Sequence, residues 1–146
     1  MIQTPGGREM AEPFTVQRRV EFCETDAAGI AHFSVFFQYM EQAEHALLRS
    51  LGTSVLMRDG EGHLSWPRVS AHCDYRGAVR FEDVLDVQVR VQRLGEKSVT
   101  YGFSFLLAGQ VVAEGSLVAV CCHVSTEGLQ SLPIPDSIRQ ALARYT

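Results

Sequence analysis

The stretch VEFCETDAAGIAHFSVFFQYMEQAEHALLRSLG, residues 20–52, decides the fold, because it leads from a strand into one long apolar helix through an unusual connector. Upstream, Thr15 to Cys23 alternates, with Val16, Val20 and Phe22 on one face and Gln17, Arg19 and Glu21 on the other, the period of a half-buried strand. Glu24 to Phe33 is the connector and contains Gly29. Val35 to Leu51 then places Phe36, Met40, Ala43, Leu47 and Leu51 at helical spacing, widened by Phe37, Ala46 and Leu48. Ser34 is the expected N-cap and Gly52 the residue just past the C-terminus. So broad an apolar face predicts a helix wrapped by other elements rather than laid on a surface.

Downstream, Thr53 to Leu64 holds Gly60 and Gly62 and reads as a loop. Four strand-like segments follow: Arg68–Tyr75, Val84–Arg93, Ser98–Leu107 and Val111–Val124. Leu94-Gly95-Glu96-Lys97 and Ala108-Gly109-Gln110 are short enough for hairpin turns. Pro135 and Asp136 open a short terminal helix with Ile138 and Leu142 on its buried side. The order strand, long helix, strands, helix predicts an α+β fold: a curled antiparallel sheet of about five strands around one helix. The expected division is a loose arm over 1–13 and a single domain over 14–146. Such a sheet leaves edges to cover, and self-association is the usual remedy.

Composition narrows the function. The 146 residues carry 13 Lys+Arg against 17 Asp+Glu, a formal net charge of −4, and Lys97 is the single lysine. A general nucleic-acid binder would show a basic face instead. No apolar run is long enough to span a membrane, and the N-terminus has no secretory apolar core. A cytoplasmic protein with reduced thiols is the expectation for Cys23, Cys73, Cys121 and Cys122. His72-Cys73 and Cys121-Cys122-His123 are adjacent residues that diverge on a strand, so no metal site is expected.

Asp26 stands in a loop of small and apolar residues, Ala27-Ala28-Gly29-Ile30-Ala31. One reading is an Asx turn that supports the loop. The other is catalytic. A helix start follows within a few residues, and its free N–H groups favour developing negative charge. A carboxylate base or nucleophile facing such donors is a minimal apparatus for acyl transfer. Glu21 and Glu24 are the other acids nearby; Glu21 alternates outward into solvent.

The motif Glu24-Thr25-Asp26-Ala27-Ala28-Gly29-Ile30, then His32, then Phe36 to Glu44, resembles the hotdog-fold acyl-CoA thioesterases, in particular the 4-hydroxybenzoyl-CoA thioesterase-like family. Asp74 to Leu85, Leu94 to Ser98 and Pro133-Ile134-Pro135 are similar as well, so the resemblance runs from about Phe14 to the C-terminus. It implies an acyl-CoA thioesterase that releases a free carboxylic acid and CoA, with no cofactor beyond the coenzyme A of its substrate. Asp26 falls on the catalytic aspartate, nucleophile or general base. Phe33 falls where a backbone N–H polarises the thioester carbonyl. His32 and Gly29 fall at the substrate pocket. The resemblance also implies a homodimer or homotetramer with the site at a subunit interface. Ser65, Trp66 and Pro67 would then approach the acyl group from the partner. No nucleic-acid or membrane partner is implied. CoA phosphates call for basic residues, of which Lys97, Arg76, Arg80 and Arg93 are candidates.

This chain departs from the family at Phe33, where many relatives carry His, Tyr or Asn, and at Val35-Phe36, where many carry Asn-Tyr. A backbone donor survives the first change. The second strips polar groups from the pocket edge and favours an apolar acyl group. Two other functions fit the same residues: a 3-hydroxyacyl thioester dehydratase using His32 with Glu41 or Glu44, and a non-catalytic acyl-CoA-binding protein. His45 and His63 carry no expected role.

Overall fold

Alternating burial along β5 (Val84–Leu94) and β6 (Ser98–Leu107) puts Leu85, Val87, Val89, Val91, Val99, Tyr101, Phe103 and Phe105 on one apolar face, and α1 (Val35–Ser50) packs on it. The structure, a computed structural model, describes residues 11–146, so most of the expected N-terminal arm lies outside the described residues. The main sheet is antiparallel, in the order β1 (Phe14–Arg19), β5, β6, β7 (Gln110–Val120), β4 (Arg68–Tyr75). Terminal helix α2 (Asp136–Ala143) buries Ile138 and Leu142, as its spacing predicts.

The helix starts where expected but is capped differently. Ser34 is already helical and its side chain makes no cap bond. Instead the His32 carbonyl accepts the Val35 N–H at 3.0 Å, and His32 Nδ1 meets both the Ser34 N–H, at 3.3 Å, and Ser34 Oγ, at 2.7 Å. The C-terminus closes as predicted. Gly52 takes φ +79°, its N–H donates to the Arg49 carbonyl, and the Thr53 N–H reaches back to the Leu48 carbonyl. That is a Schellman closure, which favours glycine because L side chains resist the left-handed region.

Three expectations need correction. The first strand stops at Arg19, because Glu24 Oε1 accepts the Glu21 N–H at 2.7 Å and draws Phe22–Glu24 into a 3-10 turn. Phe22 therefore leaves the core face, is 74% exposed, and stacks edge-on against Phe81. The segment read as a loop over Thr53–Leu64 contains the hairpin β2 (Met57–Asp59) and β3 (Gly62–Ser65), turning at Gly60 with φ +62°. The last long strand breaks at Cys121, whose N–H donates to the Lys97 carbonyl and whose carbonyl accepts from Leu132. Those bonds take the chain out of the ladder. It continues as β8 (Cys122–Ser125) and β9 (Gly128–Ser131), which join β3 and β2 in a second, four-stranded sheet. Cys121, off any strand, and Cys122, at the start of β8, are both buried, with Cys121 in the main core cluster, and all four cysteines are free.

Two contacts set the height of α1 on the sheet. Gly115 lets the helix approach: a Cβ there would lie 2.5 Å from Met40 Sδ and 2.9 Å from the His72 carbonyl oxygen. Buried Glu44 accepts a two-pronged bond from Arg68 at the start of β4, at 2.6 and 2.7 Å. Burial pushes the Glu44 carboxyl up, and the guanidinium beside it works the other way. Gly115→Ala should lower stability by about 1–3 kcal/mol, the usual cost of overpacking where backbone cannot yield. A lowered urea midpoint at unchanged slope is the expected result.

Candidate active site

The loop that carries Asp26 is a reversal pinned at both ends. The Asp26 N–H donates to the Ile30 carbonyl at 2.8 Å, and Gly29 returns its N–H to the Asp26 carbonyl at 3.0 Å. Gly29 permits this turn with φ +78°; it is exposed, and no atom lies within 4 Å of where a side chain would begin. Beyond the loop, the Ala31 N–H donates to the Val79 carbonyl at 2.6 Å, and Ile30 bridges to Arg80. The segment Gly77–Val79 thereby becomes one wall of a cavity.

Both readings of Asp26 hold at once, one for each oxygen. Oδ1 accepts the Ala28 N–H at 2.8 Å and the Ile30 N–H at 3.4 Å, an Asx-type arrangement. Among the described residues Oδ2 has no hydrogen-bond partner. Asp26 lines a cavity of ≈ 150 Å³ together with Ile30, Phe33, Phe36, Tyr75 and Val79. Among the described residues the Phe33 N–H also has no partner. Asp26 and Phe33, which carry these two unengaged groups, thus line one open cavity among largely apolar neighbours.

Tyr75, at the end of β4, is a site residue that the sequence reading missed. Its O–H donates to the Phe33 carbonyl at 2.6 Å, and its ring packs edge-on against Phe36. Burial and the Cys73 thiol push the phenol up to about 12, so it remains a donor at neutral pH. Strand alternation predicts that the end residue of β4 faces one side or the other; only the sheet register shows it at this cavity. His32 lies beside it, its ring committed to Ser34 and stacked at 4.5 Å on Phe33.

The other expected site residues are not brought to Asp26 within one chain. Pro67 precedes β4 and its carbonyl accepts the Val120 N–H, while Tyr75 ends the same strand. The seven residues Arg68–Asp74 of β4 therefore separate the Ser65–Pro67 segment from Tyr75 and the Asp26 cavity. Trp66 is only 4% exposed and belongs to this chain's own core. Lys97 and Arg93 lie at that same far end, across the eleven residues of β5 from Asp83, which bonds Val20 near the Asp26 loop. Arg76 and Arg80 are at the Asp26 end, Arg76 paired with Glu114 at 2.6 Å. A larger cavity, ≈ 380 Å³, opens at the opposite end of α1 beside Leu51, Leu64 and Ile138. It too brings an acid, Asp59, near a helix start, at Pro135 and Ser137 of α2, but Asp59 Oδ2 already faces His123 at 3.9 Å, and the loop motif around Asp26 rather than size favours the Asp26 cavity. No helix among the described residues is long and apolar enough to cross a membrane. Gly29→Ala should cost about 1 kcal/mol from backbone strain alone, with Gly29→Asn milder, as thermal unfolding of both variants would show.

Comparison with known proteins agrees with this architecture. The profile of the thioesterase-like superfamily matches residues 20–142. A protein of Aquifex aeolicus (strain VF5), provisionally named an esterase, is 32% identical over 121 residues, covering 83% of this chain and 92% of its own. The 1,4-dihydroxy-2-naphthoyl-CoA hydrolase of Synechococcus sp. (strain WH7803) is 32% identical over 132 residues, covering 86% and 85%. The solved structure of a gentisyl-coenzyme A thioesterase superposes with a TM-score of 0.76 at 28% identity, covering 88% of this chain and 98% of that one. The curled sheet around one helix is the hotdog fold of these proteins, and the chain belongs to the thioesterase-like superfamily and is a thioester hydrolase.

Proposed function

We propose that this protein hydrolyses an acyl-CoA with a compact, apolar or aromatic acyl group, using Asp26 as nucleophile or general base and the Phe33 N–H as oxyanion donor. The observation that carries this reading is the cavity lined by both Asp26 and Phe33, whose Oδ2 and backbone N–H are unengaged among the described residues. In hydrolysis, Oδ2 either attacks the thioester carbon, giving a mixed anhydride that water then hydrolyses to the free acid and the restored carboxylate, or takes a proton from an attacking water and passes it to the leaving sulfur. The carbonyl oxygen gains charge opposite the Phe33 N–H, the carbon–sulfur bond breaks, and the thiolate leaves as CoA once protonated. One backbone donor at such a position contributes about 3 kcal/mol to the transition state.

The cavity supports the acyl class. A pocket near 150 Å³ has room for about one benzene-sized group, and Phe33, Phe36, Tyr75 and Val79 line this one. The two relatives above that are named for substrates act on aromatic acyl-CoAs. Val35 and Phe36 add no polar group at the helix start, in keeping with an apolar acyl moiety. Dehydration is less well supported, because Glu44 is committed to Arg68 and the His32 ring to Ser34.

The site is completed by a second copy of the chain. β4 is the end strand of the main sheet, with Val69 64% exposed. Two such edges paired antiparallel about a two-fold axis would set one copy's Ser65–Pro67 end beside the other's Tyr75 end. Lys97, at that end too, would then approach the CoA of the partner's site, while Arg80 lies near its own.

Asp26→Asn should lower thiol release from an aryl-CoA by about 10²- to 10⁴-fold while leaving the circular dichroism spectrum intact. Thiol release at the wild-type rate would refute the assignment. A plugged variant, Ser65→Trp, should also be inactive if that segment meets the partner's substrate. Equal mixtures of the two inactive chains, after subunit exchange, should recover about a quarter of wild-type activity, because half the pairs hold one intact site of two. A site contained in one chain would recover none.

A further inference from the structure

Glu24 is a buried carboxylate that the chemistry above does not use, two residues before Asp26. Its Oε1 accepts the Glu21 N–H at 2.7 Å and the Tyr39 O–H at 2.9 Å, and its Oε2 accepts from the Arg18 guanidinium at 2.8 Å. Those donors come from the 3-10 turn, from α1 and from β1. Arg18 lies over the Tyr39 ring, 4.9 Å from its centre, and is held further by Gln42 Oε1 at 2.8 Å. Burial and the adjoining Glu24 push the Tyr39 phenol up, so it stays a donor.

The Glu24 backbone is tied as well. Its carbonyl accepts the His32 N–H at 2.8 Å, so the chain leaves at Glu24 and returns at His32, enclosing the Asp26 loop. The Thr25–Ala31 bridge closes the same stem one step further in. His32 is also the residue that caps α1 and precedes Phe33. One residue therefore anchors the foot of the loop that carries the carboxylate and, through its carbonyl, the peptide next to the oxyanion donor. Its side chain locks both to the sheet and to the helix.

We propose that Glu24 is a positioning residue of the hydrolase, holding Asp26 and the Phe33 N–H at a fixed separation across the cavity. It touches no substrate. The proposal rests on the Asp26 reading, because it assigns Glu24 no effect except through that carboxylate and the donor opposite it. A buried carboxylate with only a stabilising role would change the folded fraction. A positioning residue changes the turnover of folded enzyme, and a misplacement of about 1 Å can cost on the order of 10²-fold in rate.

Two variants test this on the full chain. Glu24→Gln keeps an oxygen for Glu21 and Tyr39 but turns an amide toward Arg18. Tyr39→Phe removes one hydroxyl and keeps the ring under Arg18. With folding verified by circular dichroism and kinetics taken well below the melting temperature, each should lower kcat by about 10- to 100-fold with KM within about threefold. On an Asp26→Asn background, each should lower the residual rate less than twofold, since the group it positions is gone. Wild-type kcat in folded Tyr39→Phe and in folded Glu24→Gln, with Asp26→Asn inactive, would overturn the proposal and leave the Asp26 reading standing. Full additivity with Asp26→Asn would overturn it too. Wild-type activity in Asp26→Asn would instead remove the catalytic reading on which the proposal rests. Should Glu24→Gln not fold, Tyr39→Phe decides alone.

Discussion

The fork between Glu44 and Arg68 fixes where the long helix sits along the sheet, and the Asp26 end of the molecule inherits that placement. Apolar burial supplies the free energy that holds α1 in the sheet, but it is non-directional and would tolerate a sliding helix. A bidentate guanidinium–carboxylate pair is directional. Arg68 opens β4 and Glu44 faces it from the middle of α1. Tyr75 closes β4 and reaches the peptide of Phe33 at the helix start. The strand thus transmits one end of the helix's position to the other. The same pair adds little net stability, because the desolvation of two charges offsets most of their attraction.

At the Asp26 end the structure divides duties between polar groups of one kind. Asp26 spends one oxygen on its own loop and leaves the other to the cavity. Glu24 spends both oxygens on the frame. Glu44 does the same farther along the helix. Three carboxylates within twenty-one residues of sequence therefore differ in role only through the donors around them. A carboxylate with an unengaged oxygen beside an unengaged backbone donor is the arrangement a polarised carbonyl requires.

The sequence made the frame readable because burial imposes simple periods. The helix over 35–51 and the strands over 84–93 and 98–107 repeat at 3.6 and 2 residues, and they lie within a residue of those bounds. What it concealed were places where one hydrogen bond overrides a pattern. Phe22 continues the alternation of its strand, yet the Glu24 side chain turns the chain and puts that ring in solvent. Val111 to Val124 reads as one strand, yet Cys121 serves two other segments and divides it. Asp26 was legible because a lone acid among small residues is unusual. Tyr75 was not, since only the β4–β7 register carries it to the cavity, 49 positions further along the chain than Asp26. Tyr39 left a faint signal, a phenol on an otherwise apolar helix face.

Under the proposed pairing of β4 edges, the separation of Pro67 and Lys97 from Asp26 along β4 and β5 would have a thermodynamic corollary. A ligand that touches the near end of one copy and the far end of another binds only the associated state. Mass action then requires that occupancy tighten the association, and that association raise affinity, by the same factor. Folding, assembly and saturation by substrate would thus be three coupled equilibria of one sheet edge. Dissociated chains would keep their secondary structure while losing the catalytic cycle.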